Sequence, residues 1–165
     1  MAISESQSVQ LRMRIAQAED ESFLFNLFAE SQDHLAALRS NEIVWRRLVE
    51  LQYQGRQISY EARTPEAENL LLLDPQGSPL GRILVDRRPH RWRIVDLALM
   101  PAWRGRGIGT QVLREYQRQA ATAGASLELQ VTPLNPARRL YERMGFREVS
   151  EDAQAVEMVW NKPGF

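Results

Sequence analysis

Apolar side chains fall on every second position between Leu11 and Ile15, where Leu11, Met13 and Ile15 alternate with Arg12, Arg14 and Ala16. That period predicts a first strand. Acidic residues Glu19, Asp20 and Glu21 suit a helix start, and Phe23, Leu24, Leu27 and Phe28 give that helix one apolar face. A second helix is predicted after Ser40-Asn41, with Val44, Leu48, Leu51, Gly55 and Ile58 along one face, closing at Thr64-Pro65. The period then shortens. Asn69 to Leu73 and Leu80 to Asp86 read as a hairpin around Asp74-Pro75-Gln76-Gly77-Ser78-Pro79, and Trp92 to Met100 as a further strand. Ile108, Val112, Tyr116, Ala120 and Ala123 mark a third helix, with Gly124 at its C-terminal cap. Leu127 to Val131 is a strand. Asn135-Pro136 opens a short helix with Ala137, Leu140, Tyr141 and Met144 on one face, ended by Gly145. Phe146 to Val149 and Val156 to Trp160 complete the set. The order β-αα-βββ-α-β-α-ββ predicts an α/β (α+β) fold: a single mixed, largely antiparallel sheet of about seven strands flanked by about four helices.

At 165 residues the chain is one domain, read as a polar N-terminal tail over 1–10 and a folded unit over 11–165. Basic and acidic residues balance at 21 each, which argues against a nucleic-acid footprint. The longest aliphatic run, Leu70 to Leu73, is far short of a membrane span. The start of the chain has no apolar signal region, and without cysteine there is no disulfide framework or thiolate metal site, so the expected location is cytoplasmic. His34 and His90 are isolated, and no His, Asp and Glu set has metal-ligand spacing, so no metal is expected. Of the 21 basic residues only Lys162 is lysine. Genomic codon bias explains such a skew, and arginine also suits planar anion recognition.

Candidate chemistry concentrates in Arg104-Gly105-Arg106-Gly107-Ile108-Gly109-Thr110, directly after a strand and opening a helix. The first turn of a helix carries unpaired N–H groups and partial positive charge, and glycines let an anion approach the backbone. Arg104 and Arg106 add charge-assisted donors. The loop is therefore expected to bind phosphate. A Walker loop needs Gly-Lys-Ser/Thr, and here there is no lysine. The dinucleotide fingerprint needs a third glycine where Thr110 stands, early in a βαβ unit, whereas this loop follows an antiparallel meander.

Arg104-x-x-Gly107-x-Gly109 resembles the acetyl-coenzyme A pyrophosphate loop of the GNAT superfamily of N-acetyltransferases. Val95-Asp96-Leu97-Ala98-Leu99-Met100-Pro101 is similar to that family's fourth strand. Asn135-Pro136-Ala137, Leu140-Tyr141-Glu142 and Gly145-Phe146 are similar to its second conserved segment. The resemblance covers residues 11 to 160. It implies fourth and fifth strands that splay at a bulge, with coenzyme A between them. Its pyrophosphate would lie on the N–H groups of Arg104, Gly105, Arg106, Gly107, Ile108, Gly109 and Thr110. Leu97, Ala98 and Leu99 would meet the pantetheine, a strand N–H acting as oxyanion donor. Asn135 and Ala137 would also touch the coenzyme. An amine of a small molecule or peptide would attack the thioester directly, through a tetrahedral intermediate.

Tyr141 matches the family tyrosine that protonates the departing thiolate; spacing alone would make it a core residue. Asn135 fits a plain N-cap as well as a coenzyme contact, and both can hold at once. For the base, some members carry a glutamate where this chain has Gln130. Glu128, two residues earlier on the same strand face, and Asp96, a carboxylate interrupting an apolar strand, are the candidates, and Asp96 alternatively anchors the helices. Gln52, Tyr53, Arg56 and Tyr60 are expected to face the acceptor. Dimers are frequent in the family, so a homodimer is compatible with the resemblance. A non-catalytic acyl-CoA-binding or sensing module is the rival reading, since it would keep the glycine loop and dispense with a base.

Overall fold

The computed structural model describes residues 10–164. Apart from Gln10, the tail predicted over 1–10 lies outside them. The elements are β1 (Arg12–Ile15), α1 (Glu21–Ala29), α2 (Glu42–Arg63), β2 (Glu68–Leu73), β3 (Pro79–Arg88), β4 (Arg91–Leu99), α3 (Ile108–Ala123), β5 (Ser126–Val131), α4 (Ala137–Arg143), β6 (Arg147–Glu151) and β7 (Val156–Trp160). Their order is the one the hydrophobic periods predict. A 3-10 segment, Asp33–Ser40, joins α1 to α2.

Local chemistry sets several boundaries. The Asn41 side chain accepts from Val44 N–H at 3.3 Å and starts α2. Gly124, at φ +66°, ends α3 in the left-handed region. The seven strands form one sheet in the order β1-β2-β3-β4-β5-β7-β6. Only β4 and β5 run parallel; every other neighbouring pair is antiparallel. The main core lies under α3, where Ile108, Val112, Leu113 and Tyr116 meet Ile83, Val85, Ile94, Leu127 and Met158. The opposite face holds a smaller cluster, Leu24 of α1 on Leu71 and Leu73.

One sequence expectation, the buried face of α2, fails here. The buried residues of α2 are Val49 and Tyr53, whereas Val44, Leu51 and Ile58 of the expected face are exposed. Helical spacing identified a stripe, but the buried one beside it carries Val49 and Tyr53, and Tyr53 packs on Phe25 and Phe28 of α1. On β1, an edge strand of the sheet, Met13 and Ile15 are exposed among the described residues.

A bulge positions the site. Val85 faces Ile94 while Leu84 faces Asp96, so Val95 is an extra residue in β4. The parallel ladder to β5 covers only Arg91 to Ile94 against Ser126 to Leu129. From Val95 to Leu99, β4 runs on with no strand paired on that edge. The two strands thus part into a wedge. Gly81 of β3 holds the wedge's wall from behind: a Cβ there would lie 2.5 Å from the Ala98 carbonyl oxygen.

Candidate active site

At the mouth of α3 the chain makes a tight turn through Gly105 (φ +70°) and Gly107 (φ +79°), a conformation that costs glycine nothing. Gly107 is the N-cap, and its carbonyl accepts the first intrahelical bond, from Gln111 N–H at 3.0 Å. The N–H groups of Ile108, Gly109 and Thr110 therefore have no acceptor within the helix, and no side chain caps them. A Cβ on Gly105, Gly107 or Gly109 would meet nothing within 4 Å. The result is an open patch of main-chain donors at the positive end of a 16-residue helix. The two arginines behave differently from the expectation that both would face an anion. Arg104 Nε donates to Leu99 O at 3.0 Å, tying the loop to the end of β4. The Arg106 guanidinium stacks over the Trp103 ring at 5.1 Å.

The wedge and the helix mouth open into one cleft of about 500 Å³. Its floor is Asp96, Leu97, Ala98 and Leu99 of β4, and one wall holds Asn135, Ala137, Leu140 and Tyr141. Gly109 and Arg104 lie at the end formed by the α3 mouth. Asn135 Oδ1 accepts from Ala137 N–H at 2.9 Å while lining the cleft, but α4 starts one residue later than expected, with Pro136 and not Asn135 at its N-cap. Tyr141 packs edge-on to Phe146 with ring centroids 5.9 Å apart. Burial first, and the Asp96 carboxylate second, raise its phenol pKa above the usual 10, so the group is a proton donor at neutral pH.

The facing wall comes from α1, α2 and β3. Arg56 Nη2 donates to Asp96 Oδ1 at 3.1 Å, and Arg82 Nη2 lies 3.2 Å from Asp96 Oδ2. Arg56 Nε donates to the Tyr60 hydroxyl. Arg56 also stacks on Phe28 and Tyr60, at 5.5 Å and 5.3 Å. Arg82 is 5% exposed, and its Nε is buried with no hydrogen-bond partner. Burial, with Asp96 adding to it, raises the Tyr60 pKa. The buried Tyr53 hydroxyl is also unpartnered; burial, with Glu21 adding to it, holds it well above the phenol range.

Of the residues singled out in sequence, Tyr141, Asp96, Leu97, Ala98, Leu99, Arg104, Gly109, Asn135, Ala137, Tyr53 and Arg56 line this cleft. Tyr60 sits behind Arg56 and lines an adjoining groove. Gly105, Arg106, Gly107, Ile108 and Thr110 belong to the loop and first turn of α3 at the end of the cleft without lining it, and Glu128 and Gln52 lie elsewhere. Glu128 pairs with Arg91 at 3.0 Å near the closed end of the β4–β5 ladder. Gln52 is exposed on another side of α2, and Gln57 lines the cleft instead. Asp96 has an arginine donor on each oxygen, which favours the anchor over the base. Sequence reasoning missed Arg82, although an arginine inside the apolar run Leu80 to Val85 was a visible signal. It also missed Asp33, a cleft-lining carboxylate that makes no ion pair among the described residues. No group of three or more acidic or histidine side chains among the described residues could hold a metal ion. No helix there is long and apolar enough to cross a membrane.

A parallel strand pair thus parts beside an open helix mouth, the arrangement that the resemblance to the N-acetyltransferases implies. The acetyltransferase (GNAT) family model matches residues 33–146, and the chain belongs to that family, whose acyl donor is acetyl-CoA. The fold is similar to that of the PaiA N-acetyltransferase from Thermoplasma acidophilum, solved with coenzyme A. Identity there is 19%, over 90% of this chain and 97% of that one, with a TM-score of 0.65. An acetyltransferase from Thermus thermophilus is similar at 20% identity over 91% of this chain and 96% of that one, TM-score 0.65. A chimera of the Vibrio cholerae spermidine N-acetyltransferase SpeG is similar at 19% identity over 91% and 93%, TM-score 0.61. The residues present suit coenzyme A. The space that a Cβ of Gly107 or Gly109 would fill is free for a diphosphate, and the edge of β4 beyond Ile94 is free for an amide-bearing chain.

Proposed function

We propose that this acetyltransferase moves an acetyl group from acetyl-CoA to a primary amine of a small molecule or peptide, by direct attack and without a covalent enzyme intermediate. Bound acetyl-CoA supplies an activated carbonyl and a good leaving group. The unpaired N–H groups of Ile108, Gly109 and Thr110 hold its diphosphate. The free β4 edge at Leu97 to Leu99 aligns the chain and offers an N–H to the carbonyl oxygen. The amine nitrogen bonds to the carbonyl carbon, the C–S bond breaks, and the thiolate takes the proton of the Tyr141 hydroxyl. The amine gives up its proton to water at the Asp33 rim, and Tyr141 recovers its own from solvent. Asp96 positions Arg56 and Arg82 and has no part in proton transfer. The observation that carries this reading is the convergence of Tyr141, the free β4 edge and the helix mouth on one cleft.

Thiol release from acetyl-CoA with a panel of amines tests it. Release should depend on the amine, and Tyr141→Phe should lower kcat roughly 10²-fold with little change in acetyl-CoA affinity. Equal turnover would reduce Tyr141 to a packing role. Because the Tyr141 pKa lies above 10, kcat should rise with pH as the amine deprotonates and not fall below pH 10. Both oxygens of Asp96 being occupied keeps the non-catalytic rival in view. Coenzyme binding without release by any amine would favour it.

A further inference from the structure

Beyond the cleft, on the other side of Arg56, lies a groove of about 740 Å³ between the C-terminal half of α2 and the uncovered face of β4 and β5. Arg56 lines both. The groove also carries Arg63, Arg88, Arg91 and Arg93, and its one acidic lining residue is Asp86. Three of these arginines have acidic partners: Arg88 with Asp86, Arg91 with Glu128, and Arg93 with Glu157, each at 3.0 Å. Arg56 and Arg82 share a single carboxylate, Asp96. Arg63 has no acidic partner among the described residues. The five arginines of the groove and the neighbouring Arg82 thus have four carboxylate partners between them, two fewer than their number.

Donor count gives the same sign. Arg56 and Arg82 present five N–H groups each. The acceptors facing them are the two Asp96 oxygens and the Tyr60 hydroxyl. The buried Arg82 Nε is left without one. Buried donors without acceptors are rare and call for a reason. A surplus of guanidinium donors beside a reaction cleft suits a planar carboxylate, which takes two N–H groups from one arginine. Of the carboxylates lining the cleft and the groove, Asp86 and Asp96 are already paired with arginine, and among the described residues Asp33 alone is left for a polyamine.

We infer that the acceptor of this acetyltransferase is an amine that also bears a carboxylate, with the carboxylate held by Arg56 and Arg63 while the amine reaches the wedge. This rests on the proposed function and specifies its substrate class.

The test compares alanylglutamate with alanylglutamine amide, two peptides with the same α-amine and different charge, and adds spermidine. The expected result is a kcat/KM at least tenfold higher for alanylglutamate than for the amide or for spermidine. The advantage should lie in KM, shrink at high salt, and fall several-fold in Arg63→Gln while the amide is unaffected. Equal rates, a preference for spermidine, or a ratio unmoved by Arg63→Gln would overturn the inference and leave the acetyltransferase reading standing. Calorimetric titration of N-acetyl-alanylglutamate onto the coenzyme A-loaded protein examines the anion site without turnover. Binding lost in Arg56→Gln, together with no turnover of any amine, would keep the anion site and remove the transferase reading. No binding and no turnover would remove both.

Discussion

The two walls of the cleft are built on different principles. The wall proposed for the coenzyme is main chain: glycine turns, an uncapped helix mouth, and a strand edge freed by one extra residue at Val95. The acceptor wall is side chain: Arg56, Arg82, Tyr60 and Asp96 from three elements, held by hydrogen bonds and ring stacking. A main-chain wall recognises what every acetyl-CoA presents, a diphosphate and two amides, and tolerates little change at its glycines. A side-chain wall changes its chemistry with each substitution, so it is where the proposed substrate choice would reside.

Substitutions separate the walls. The largest effect is expected from Gly107→Asp, which places a side chain on a left-handed residue (φ +79°) and a carboxylate at the helix mouth. Acetyl-CoA binding by calorimetry should weaken roughly 100-fold or more, about 3 kcal/mol, with the acceptor wall intact. Gly81→Ala comes next. Its Cβ would press on the Ala98 carbonyl at 2.5 Å, so overpacking should cost about 1–3 kcal/mol, read as a lower Tm. An unchanged Tm would mean the β4 wall yields easily. The smallest effect concerns neither wall. Asp20 accepts from Arg14 at 2.6 Å and 2.8 Å, which, with the Gln17 N–H, lowers its pKa from 3.8 to about 2. A depressed carboxylate stabilises the fold above its unfolded pKa and loses that contribution as pH falls through the folded one. Asp20→Asn should therefore lower Tm slightly at pH 7, and the difference should vanish near pH 2.

The same contrast explains what the sequence revealed. The open helix mouth was legible because its chemistry is local: Gly105, Gly107 and Gly109 around the start of the Ile108, Val112, Tyr116 stripe already describe it. Element order was legible for the same reason, since hydrophobic period and capping residues act over a few positions. The acceptor wall was only partly legible. Tyr53 and Arg56 were found, but sequence pointed to Gln52 where Gln57 lines the cleft, because the rotation of α2 follows the contacts of Tyr53 with α1 and of Arg56 with Asp96 and not its own apolar stripe. Arg82 went unnoticed because its meaning depends on Asp96, fourteen positions away and one strand over. Glu128 was chosen by strand face alone, which could not reveal that Arg91 closes that end of the ladder.

The central claim is that bare backbone at the start of α3, together with the freed edge of β4, grips the coenzyme. Amide NMR during a coenzyme A titration tests it residue by residue. The largest shifts should fall on the N–H groups of Ile108, Gly109, Thr110 and the Leu97 to Leu99 stretch, and Gly107→Asp should abolish them. Shifts confined to other elements, with the α3 mouth silent at saturation, would contradict the account.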